Sequence, residues 1–217
     1  TNGPSIAHNL GTEPAFVLIK NLDGSQSYPD WYVKHKDIGD NYNTRLNLTA
    51  GRELATGSGS WYQGGIGNLD SKYAVNFLTG AQTSTGNVNT NGVNYIAYCW
   101  AEVEGLSKFG KYTARSAPHF IYCGFAPALV ICKSITPGTS ESWLMTTWKS
   151  QNQNSFGDYL AANSTAQEAI SAGYMDLVSN GFVHRHDQGW NNYVGGGYDY
   201  IFMAWATDPF ASNNRAR

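Results

Sequence analysis

Residues 11–20, Gly-Thr-Glu-Pro-Ala-Phe-Val-Leu-Ile-Lys, recur as residues 124–133, Gly-Phe-Ala-Pro-Ala-Leu-Val-Ile-Cys-Lys, at an offset of 113. Each copy holds an apolar run of the length of one β-strand, and a proline stands just before it. A strand that is apolar at successive positions is typical of one that is covered on both faces. The repeated stretch therefore predicts a central β-strand in each half of the chain.

Three further pairs of segments repeat in the same order along the chain. Asp-Trp-Tyr at residues 30–32 corresponds to Ser-Trp-Leu at residues 142–144. Asn-Leu-Thr-Ala at residues 47–50 corresponds to Asn-Ser-Thr-Ala at residues 163–166. The longest pair is Asn-Tyr-Ile-Ala-Tyr-Cys-Trp-Ala at residues 94–101 and Asp-Tyr-Ile-Phe-Met-Ala-Trp-Ala at residues 199–206. The offsets drift by a few residues, as loop insertions would produce, so the pattern predicts an internal duplication. We expect a first β repeat with an N-terminal linker in residues 1–105, and a second repeat with a connecting strand and a C-terminal tail in residues 106–217.

The composition favours an all-β domain. Charged residues make up 14% of the chain, whereas about 25% is usual. Aromatic residues also reach 14%, and 24 residues are glycine. A chain of short apolar segments bounded by glycine, proline and asparagine is typical of a sandwich or a barrel. We predict an internally duplicated jelly-roll or concanavalin-like β-sandwich, formed either as one continuous sandwich or as two lobes.

Several classes of protein fit the sequence poorly. The net charge of −2 does not favour nucleic-acid binding, which needs a basic surplus. No apolar stretch approaches the roughly 20 residues that cross a bilayer, so we expect no membrane insertion. The three cysteines lie in apolar strand-like runs and are predicted to be buried free thiols, which suggests assembly in a reducing cytoplasm. We expect no cofactor. The first four residues have linker composition, as in the end of a longer protein.

The two long repeated segments also carry a family resemblance. Residues 94–112, Asn-Tyr-Ile-Ala-Tyr-Cys-Trp-Ala-Glu-Val-Glu-Gly-Leu-Ser-Lys-Phe-Gly-Lys-Tyr, and residues 200–210, Tyr-Ile-Phe-Met-Ala-Trp-Ala-Thr-Asp-Pro-Phe, are specific patterns. They resemble an uncharacterised duplicated β domain at the C-terminal end of tailed-phage virion proteins, often tail fibres of marine phages. The resemblance covers about residues 8–217. It implies a virion location at the tail or outer surface, other virion proteins as partners, and the host-facing end of a homotrimer, without assigned catalytic residues.

Two glycine- and asparagine-rich segments have the composition of a sugar-binding surface. Aromatic side chains stack on pyranose rings, and planar amides hydrogen-bond to hydroxyl groups. The predicted ligand-binding residues are Trp61, Tyr62, Gln63, Trp190, Asn191, Asn192 and Tyr193. A tryptophan in such a segment is less easily explained as core than one in a strand. Packing of each tryptophan beneath its own loop is the alternative interpretation.

Other motifs have simpler explanations. His184 and His186 could chelate a metal from one strand face, but the first repeat lacks the pair, so we interpret them as histidines of a surface strand. Asn47 and Asn163 begin glycosylation sequons, yet they are mates in the repeat and a shared turn explains both.

Candidates for a glycosidase carboxylate pair are Glu102 with Glu104, and Asp199 with Asp208. No nucleophile elbow, phosphate loop or metalloprotease helix is present. The sequence thus predicts a non-enzymatic phage protein that recognises a host-surface glycan or protein receptor. One alternative is a structural capsid-decoration or tail-assembly protein without a ligand. A weaker alternative is a polysaccharide-degrading tail enzyme.

Overall fold

A computed structural model of the chain describes residues 2–23, 29–55, 65–78, 88–149, 158–169, 174–187 and 191–209. Within these ranges the regular structure consists of antiparallel β-strands and one 3-10 turn. No helix in these ranges has the length and apolar character that crossing a membrane would require. The chain divides into two compact units, residues 1–101 and 102–217, four residues before the boundary that the sequence predicts.

Unit 1 contains a five-stranded and a three-stranded sheet. Its strands are β1 (Asn2–Ala7), β2 (Phe16–Asn21), β3 (Trp31–His35), β4 (Tyr42–Arg45), β5 (Glu53–Leu54), β6 (Gly65–Ile66), β7 (Ala74–Leu78) and β8 (Tyr95–Trp100). The larger sheet has the order β5-β4-β3-β2-β8, and the smaller has the order β1-β7-β6. Val17 and Ile19 from the larger sheet share one apolar core with Ile66 and Val75 from the smaller, so the two sheets enclose a sandwich core.

The prediction that the first residues form a linker is wrong. Residues 2–7 are strand β1, which pairs with β7 in the register Ile6↔Val75 and Ala7↔Ala74. A stretch that begins Asn-Gly-Pro-Ser has the composition of a turn, but the neighbouring strand satisfies its backbone groups. Pairing with a distant strand has overridden the local preference of these residues.

Unit 2 has the same two kinds of sheet. Its strands are β9 (Ser107–Thr113), β10 (His119–Tyr122), β11 (Pro127–Ser134), β12 (Leu144–Thr147), β13 (Leu160–Ala161), β14 (Met175–Val178), β15 (Gly181–His184) and β16 (Asp199–Ala206). The larger sheet has the order β13-β12-β11-β16-β9, and the smaller has the order β10-β15-β14. Cys132 and Phe202 of the larger sheet pack with Ile121 and Phe182 of the smaller in one core. The cysteines are free thiols: Cys123 and Cys132 are buried, and Cys99 in unit 1 is half-buried.

The repeated sequence segments occupy the same places in the two units. Strand β2 pairs with β8 in the register Phe16↔Trp100, and β11 pairs with β16 in the register Leu129↔Trp205. The sequence repeat relates these two pairs to each other. Among the described strands, the two units therefore share a plan of seven, to which unit 1 adds β5 beside β4 and unit 2 adds β9 beside β16. The predicted all-β class is confirmed, while descent from a duplicated ancestor stays a prediction.

Candidate functional site

A small cavity in unit 2 lies where strands β12, β14 and β15 meet the segment that precedes β16. Its volume is about 20 Å³, which is enough for one water-sized group. The lining includes Thr146 of β12, His184 at the end of β15, and Asn191 of the segment before β16. Tyr159 and Tyr174 contribute aromatic surface to the same cavity. The site is thus built from elements that are distant in the sequence but adjacent in the sandwich.

Three buried polar atoms in this lining lack a protein partner. They are Asp158 Oδ1, His184 Nε2 and Asn191 Oδ1, and none of them makes a hydrogen bond within the described part of the chain. Leaving a buried polar group unpaired costs roughly 1–3 kcal/mol, so three such atoms around one cavity are unusual. A carboxylate oxygen and an amide oxygen accept hydrogen bonds, while the imidazole nitrogen donates or accepts according to its tautomer. The cavity is therefore suited to a small hydroxyl-bearing group that both donates and accepts.

The interpretation of His184 as a surface histidine is wrong. Its residue is only 2% exposed, and its ring packs against Tyr112 at 5.1 Å and against Phe182 at 5.5 Å between ring centroids. Burial, with a smaller contribution from nearby His119, lowers the pKa of His184 to about 3, so the ring is neutral near pH 7. The side chain stands on the inward face of β15, where the core holds it in place.

His186, in contrast, is exposed beyond the end of β15 and packs on Tyr174 with ring centroids 5.2 Å apart. Both histidines line the cavity. In the part of the chain that the structure describes, no three His, Cys, Asp or Glu side chains are grouped so that they could hold a metal ion.

Three of the predicted ligand-binding residues fall within the described ranges. Asn191 lines the cavity, and its backbone C=O accepts a hydrogen bond from the Tyr112 hydroxyl at 2.7 Å. Its amide oxygen is buried and has no partner among the described residues. Tyr193 is 39% exposed and packs beside Tyr198. The other predicted residues, Trp61, Tyr62, Gln63 and Trp190, lie outside the described residues.

Asn192 acts as a structural clamp, by which we mean a side-chain amide that hydrogen-bonds to the backbone of other segments and holds them together. Its amide nitrogen donates to the backbone C=O of Arg115 at 2.7 Å and to that of His186 at 2.9 Å. Its amide oxygen accepts from the Arg115 N–H at 3.1 Å. Both amide hydrogens are thus used by the protein, and the residue is only 2% exposed. Asn192 thereby fixes the position of its neighbour Asn191, which belongs to the cavity lining.

A family model described as "Domain of unknown function (DUF7483)" matches residues 1–209. The chain belongs to this family. No curated protein matches the sequence, and no solved structure matches it either. The family description assigns no activity, ligand or location to the DUF7483 domain, so the polar cavity has to be interpreted from its own chemistry.

Two of the four carboxylates considered for glycosidic cleavage, Glu102 and Asp199, have structural partners in this DUF7483 domain. Glu102 forms an ion pair with Lys108 at 2.6 Å, and Asp199 forms one with Lys111 at 2.8 Å. Asp199 also accepts a hydrogen bond from the Thr113 hydroxyl at 2.7 Å. Both carboxylates therefore stabilise the position of β9, because their three partners, Lys108, Lys111 and Thr113, all belong to that strand.

Sequence reasoning missed Asp158, Tyr159 and Tyr174 as site residues of the DUF7483 domain. Strand β13 follows directly after Tyr159 and β14 directly after Tyr174, so their side chains meet only through the strand order of unit 2. The segment from residue 158 to 174 contains two aromatic residues and two carboxylates without regular alternation. No local signal therefore marked them, whereas the asparagine-rich composition around Asn191 did.

Proposed function

We propose that this chain is a non-enzymatic recognition module of a tailed-phage virion, which binds a host-surface glycan through the polar cavity of unit 2. The observation that carries the proposal is the set of three buried, unpartnered polar atoms around that cavity, on Asp158, His184 and Asn191. A hydroxyl group of a sugar has the size of the cavity and can donate to an acceptor oxygen while accepting from an imidazole N–H. The phage location is supported by the sequence resemblance described above.

The aromatic lining supports a sugar in preference to a bare ion. Tyr159 and Tyr174 place two rings beside the acceptor oxygens, and such rings pack against the apolar face of a pyranose. Only one hydroxyl-sized group fits into about 20 Å³, so the remainder of a glycan would lie across the surface outside. Contacts of this kind are individually weak, and several copies in a fibre, a trimer in our proposal, would multiply their effect.

Asn191→Ala tests the proposal directly. We expect this change to weaken binding of host-surface polysaccharide at least tenfold, because it removes one acceptor from the site. The melting temperature should stay nearly constant, because that acceptor has no partner among the residues that the structure describes. Titration calorimetry with the purified polysaccharide, together with a thermal melt, measures both effects.

Asn68→Ala is the matched control, because Asn68 also has a buried, unpartnered amide oxygen but lies in unit 1. It should leave glycan binding unchanged. Asn192→Ala should instead lower stability, by about 1–3 kcal/mol, through loss of the clamp. Absence of any binding by the wild-type protein, or equal binding by the wild type and the Asn191→Ala variant, would contradict the proposal.

A further inference from the structure

Strand β8 forms one edge of the larger sheet of unit 1, and no described strand lies on its outer side. On its inner side, the Leu22 N–H donates to the Asn94 C=O at 2.9 Å. Backbone groups of an antiparallel strand alternate between its two sides, so those of Tyr95, Ala97 and Cys99 point away from β2. They form a row of donors and acceptors that can pair with a further strand.

This edge lacks the features that usually prevent strand addition. Residues 95–100 read Tyr-Ile-Ala-Tyr-Cys-Trp, without a charge, proline or glycine, and the Tyr98 residue is 42% exposed. Edge strands of natural proteins commonly carry lysine or proline, which discourages pairing with another chain. The corresponding outer strand of unit 2, β9, carries Lys108 and Lys111. The contrast indicates that the edge of β8 is suited to pairing with a further strand.

Unit 2 shows what covers the corresponding edge. There, β9 pairs antiparallel with β16, the counterpart of β8, in the register Tyr112↔Tyr200 and Gly110↔Phe202. The Tyr112 ring stacks on Tyr200 with centroids 5.2 Å apart, and it is buried in the core of unit 2. Strand β9 therefore supplies both backbone pairing and an aromatic side chain that completes the core.

The corresponding space in unit 1 is a cavity of about 630 Å³. Four of its lining residues, Ile19, Tyr95, Ala97 and Cys99, are the repeat counterparts of Cys132, Tyr200, Phe202 and Ala204, which belong to the core around Tyr112 in unit 2. A volume of this size is well above that of one aromatic ring and falls in the range of ligand pockets. One reason for the size is that Ala97 stands where unit 2 has a phenylalanine.

We infer that the edge of β8 and this cavity together bind an extended segment of another polypeptide. The segment adds as a strand antiparallel to β8 and inserts an aromatic side chain at the position opposite Tyr95. Main-chain hydrogen bonds then provide affinity, and the cavity provides selection of the side chain. This interaction concerns unit 1 and a protein partner, and it is independent of the glycan cavity in unit 2.

The structure also indicates which side chain the added strand can carry two positions before its aromatic residue. In unit 2 this residue is Gly110, because a Cβ built there would lie 2.6 Å from the Phe202 ring. In unit 1 the residue opposite is Ala97, so a larger side chain fits. A strand that fits β8 can therefore carry a leucine where β9 must carry a glycine.

A peptide experiment on the full chain tests the inference. The probe is a synthetic peptide of residues 106–114 carrying Gly110→Leu, and the reporter is the rate at which iodoacetamide alkylates Cys99. Burial raises the pKa of all three thiols, to about 12 for Cys123 and Cys132, but Cys99 is only half-buried whereas the other two are buried, so Cys99 is the most accessible thiol for the reagent. At saturation we expect the peptide to slow alkylation of Cys99 at least tenfold.

Two changes show whether the peptide binds in the inferred manner. Adding Tyr112→Ala to the peptide removes the inserted ring and should weaken protection about tenfold or more, as for a buried aromatic anchor. In the protein, Ala97→Phe introduces the phenylalanine that unit 2 has at the equivalent position. This change should reverse which peptide binds: the peptide with leucine at position 110 should no longer protect Cys99, and the peptide with the native glycine should protect it.

Three results would overturn the inference. The first is that neither peptide protects Cys99. The second is that the leucine peptide protects equally in the wild type and the Ala97→Phe variant. The third is a dimer, detected by light scattering, whose dissociation on dilution exposes Cys99, because a second copy of this chain would then be the occupant.

Discussion

His184 is a neutral histidine held inside the core of unit 2 by the rings of Tyr112 and Phe182. Burial, followed by the proximity of His119, lowers its pKa from 6.5 to about 3. Below pH 6.5 an unfolded chain would therefore bind a proton that the folded chain does not. Stability is fully present above pH 6.5 and is lost as the pH falls toward 3.

We therefore predict an acid destabilisation that depends on one side chain. By about pH 4.5 the wild type should lose on the order of 2–3 kcal/mol through His184, since each unit of pKa shift corresponds to about 1.4 kcal/mol. His184→Phe keeps an aromatic ring in the core and removes the titration. Urea unfolding between pH 7.5 and pH 4.5 should show a clearly smaller decrease for this variant.

The control for this experiment is His186→Gln, which changes an exposed histidine at the mouth of the same cavity. It should lose stability with falling pH as the wild type does. If the His184→Phe variant retained the full acid dependence, then another group would be responsible for it.

Composition predicted only part of the cavity lining. The asparagine-rich stretch before β16 contains Asn191, which lines the cavity, while its role in ligand binding stays a prediction. The same signal also selected Asn192, whose amide is occupied by backbone partners. Amides that clamp a loop and amides that face a ligand look identical in sequence, because the difference lies in the surrounding backbone.

At the scale of elements, the two sequons form the same clamp in both units. The Asn47 amide oxygen accepts from the Trp31 N–H at 2.9 Å, and the Asn163 amide oxygen accepts from the Trp143 N–H at 2.8 Å. Each asparagine thereby joins the segment that follows one strand to the start of the preceding strand of its sheet. The interpretation of these motifs as a shared turn agrees with this geometry.

The partners of the two amide nitrogens differ, and this difference gives a prediction. Asn47 Nδ2 donates to the Asp30 carboxylate at 2.6 Å, whereas Asn163 Nδ2 donates to the Ser142 hydroxyl at 3.3 Å. Asn47→Asp would place two carboxylates together, while Asn163→Asp can accept a hydrogen bond from the serine. We expect a loss of about 1–2 kcal/mol for Asn47→Asp and less than about 1 kcal/mol for Asn163→Asp.

Urea unfolding in low and in high salt checks this expectation, because screening weakens repulsion between charges. The cost of Asn47→Asp should decrease in high salt, while that of Asn163→Asp stays nearly constant. Equal costs for the two variants in low salt would show that the nature of the neighbouring partner is unimportant.

Repeated segments predicted the central strands well but could not predict the edges. The apolar run at residues 15–19 coincides with β2 from its first residue, Phe16, and the run at 128–132 lies in β11; each of these strands has strands on both sides. Strands β5 and β13 contain two residues each, and β1 has the composition of a turn, so pattern alone did not reveal them. Such strands exist because a neighbouring strand pairs with them, and a single-sequence pattern does not contain that information.

At the scale of the whole molecule, each unit has its own core. The apolar cluster that includes Val17 and Val75 draws only on unit 1, and the cluster that includes Val130 and Phe182 draws only on unit 2. Domains with separate cores generally fold as separate cooperative units. We therefore expect two transitions when the full chain is heated.

Core variants assign these transitions to the units. Phe182→Ala creates a cavity in unit 2 and should cost about 3–5 kcal/mol there, while Val75→Ala should destabilise unit 1 by a smaller amount. Differential scanning calorimetry should show each variant moving a different transition. A single transition that moves as a whole with both variants would mean that the two units unfold together.

The arrangement of strands within each sheet also determines when each unit can fold during its synthesis. In unit 2 the first strand, β9, lies beside the last, β16, and in unit 1 the early strand β2 lies beside the final strand β8. A nascent chain therefore cannot close either sandwich until the last strand of that unit has left the ribosome, because the central pairing needs it. Until then the apolar faces of the earlier strands are exposed to solvent, where chaperones can bind them.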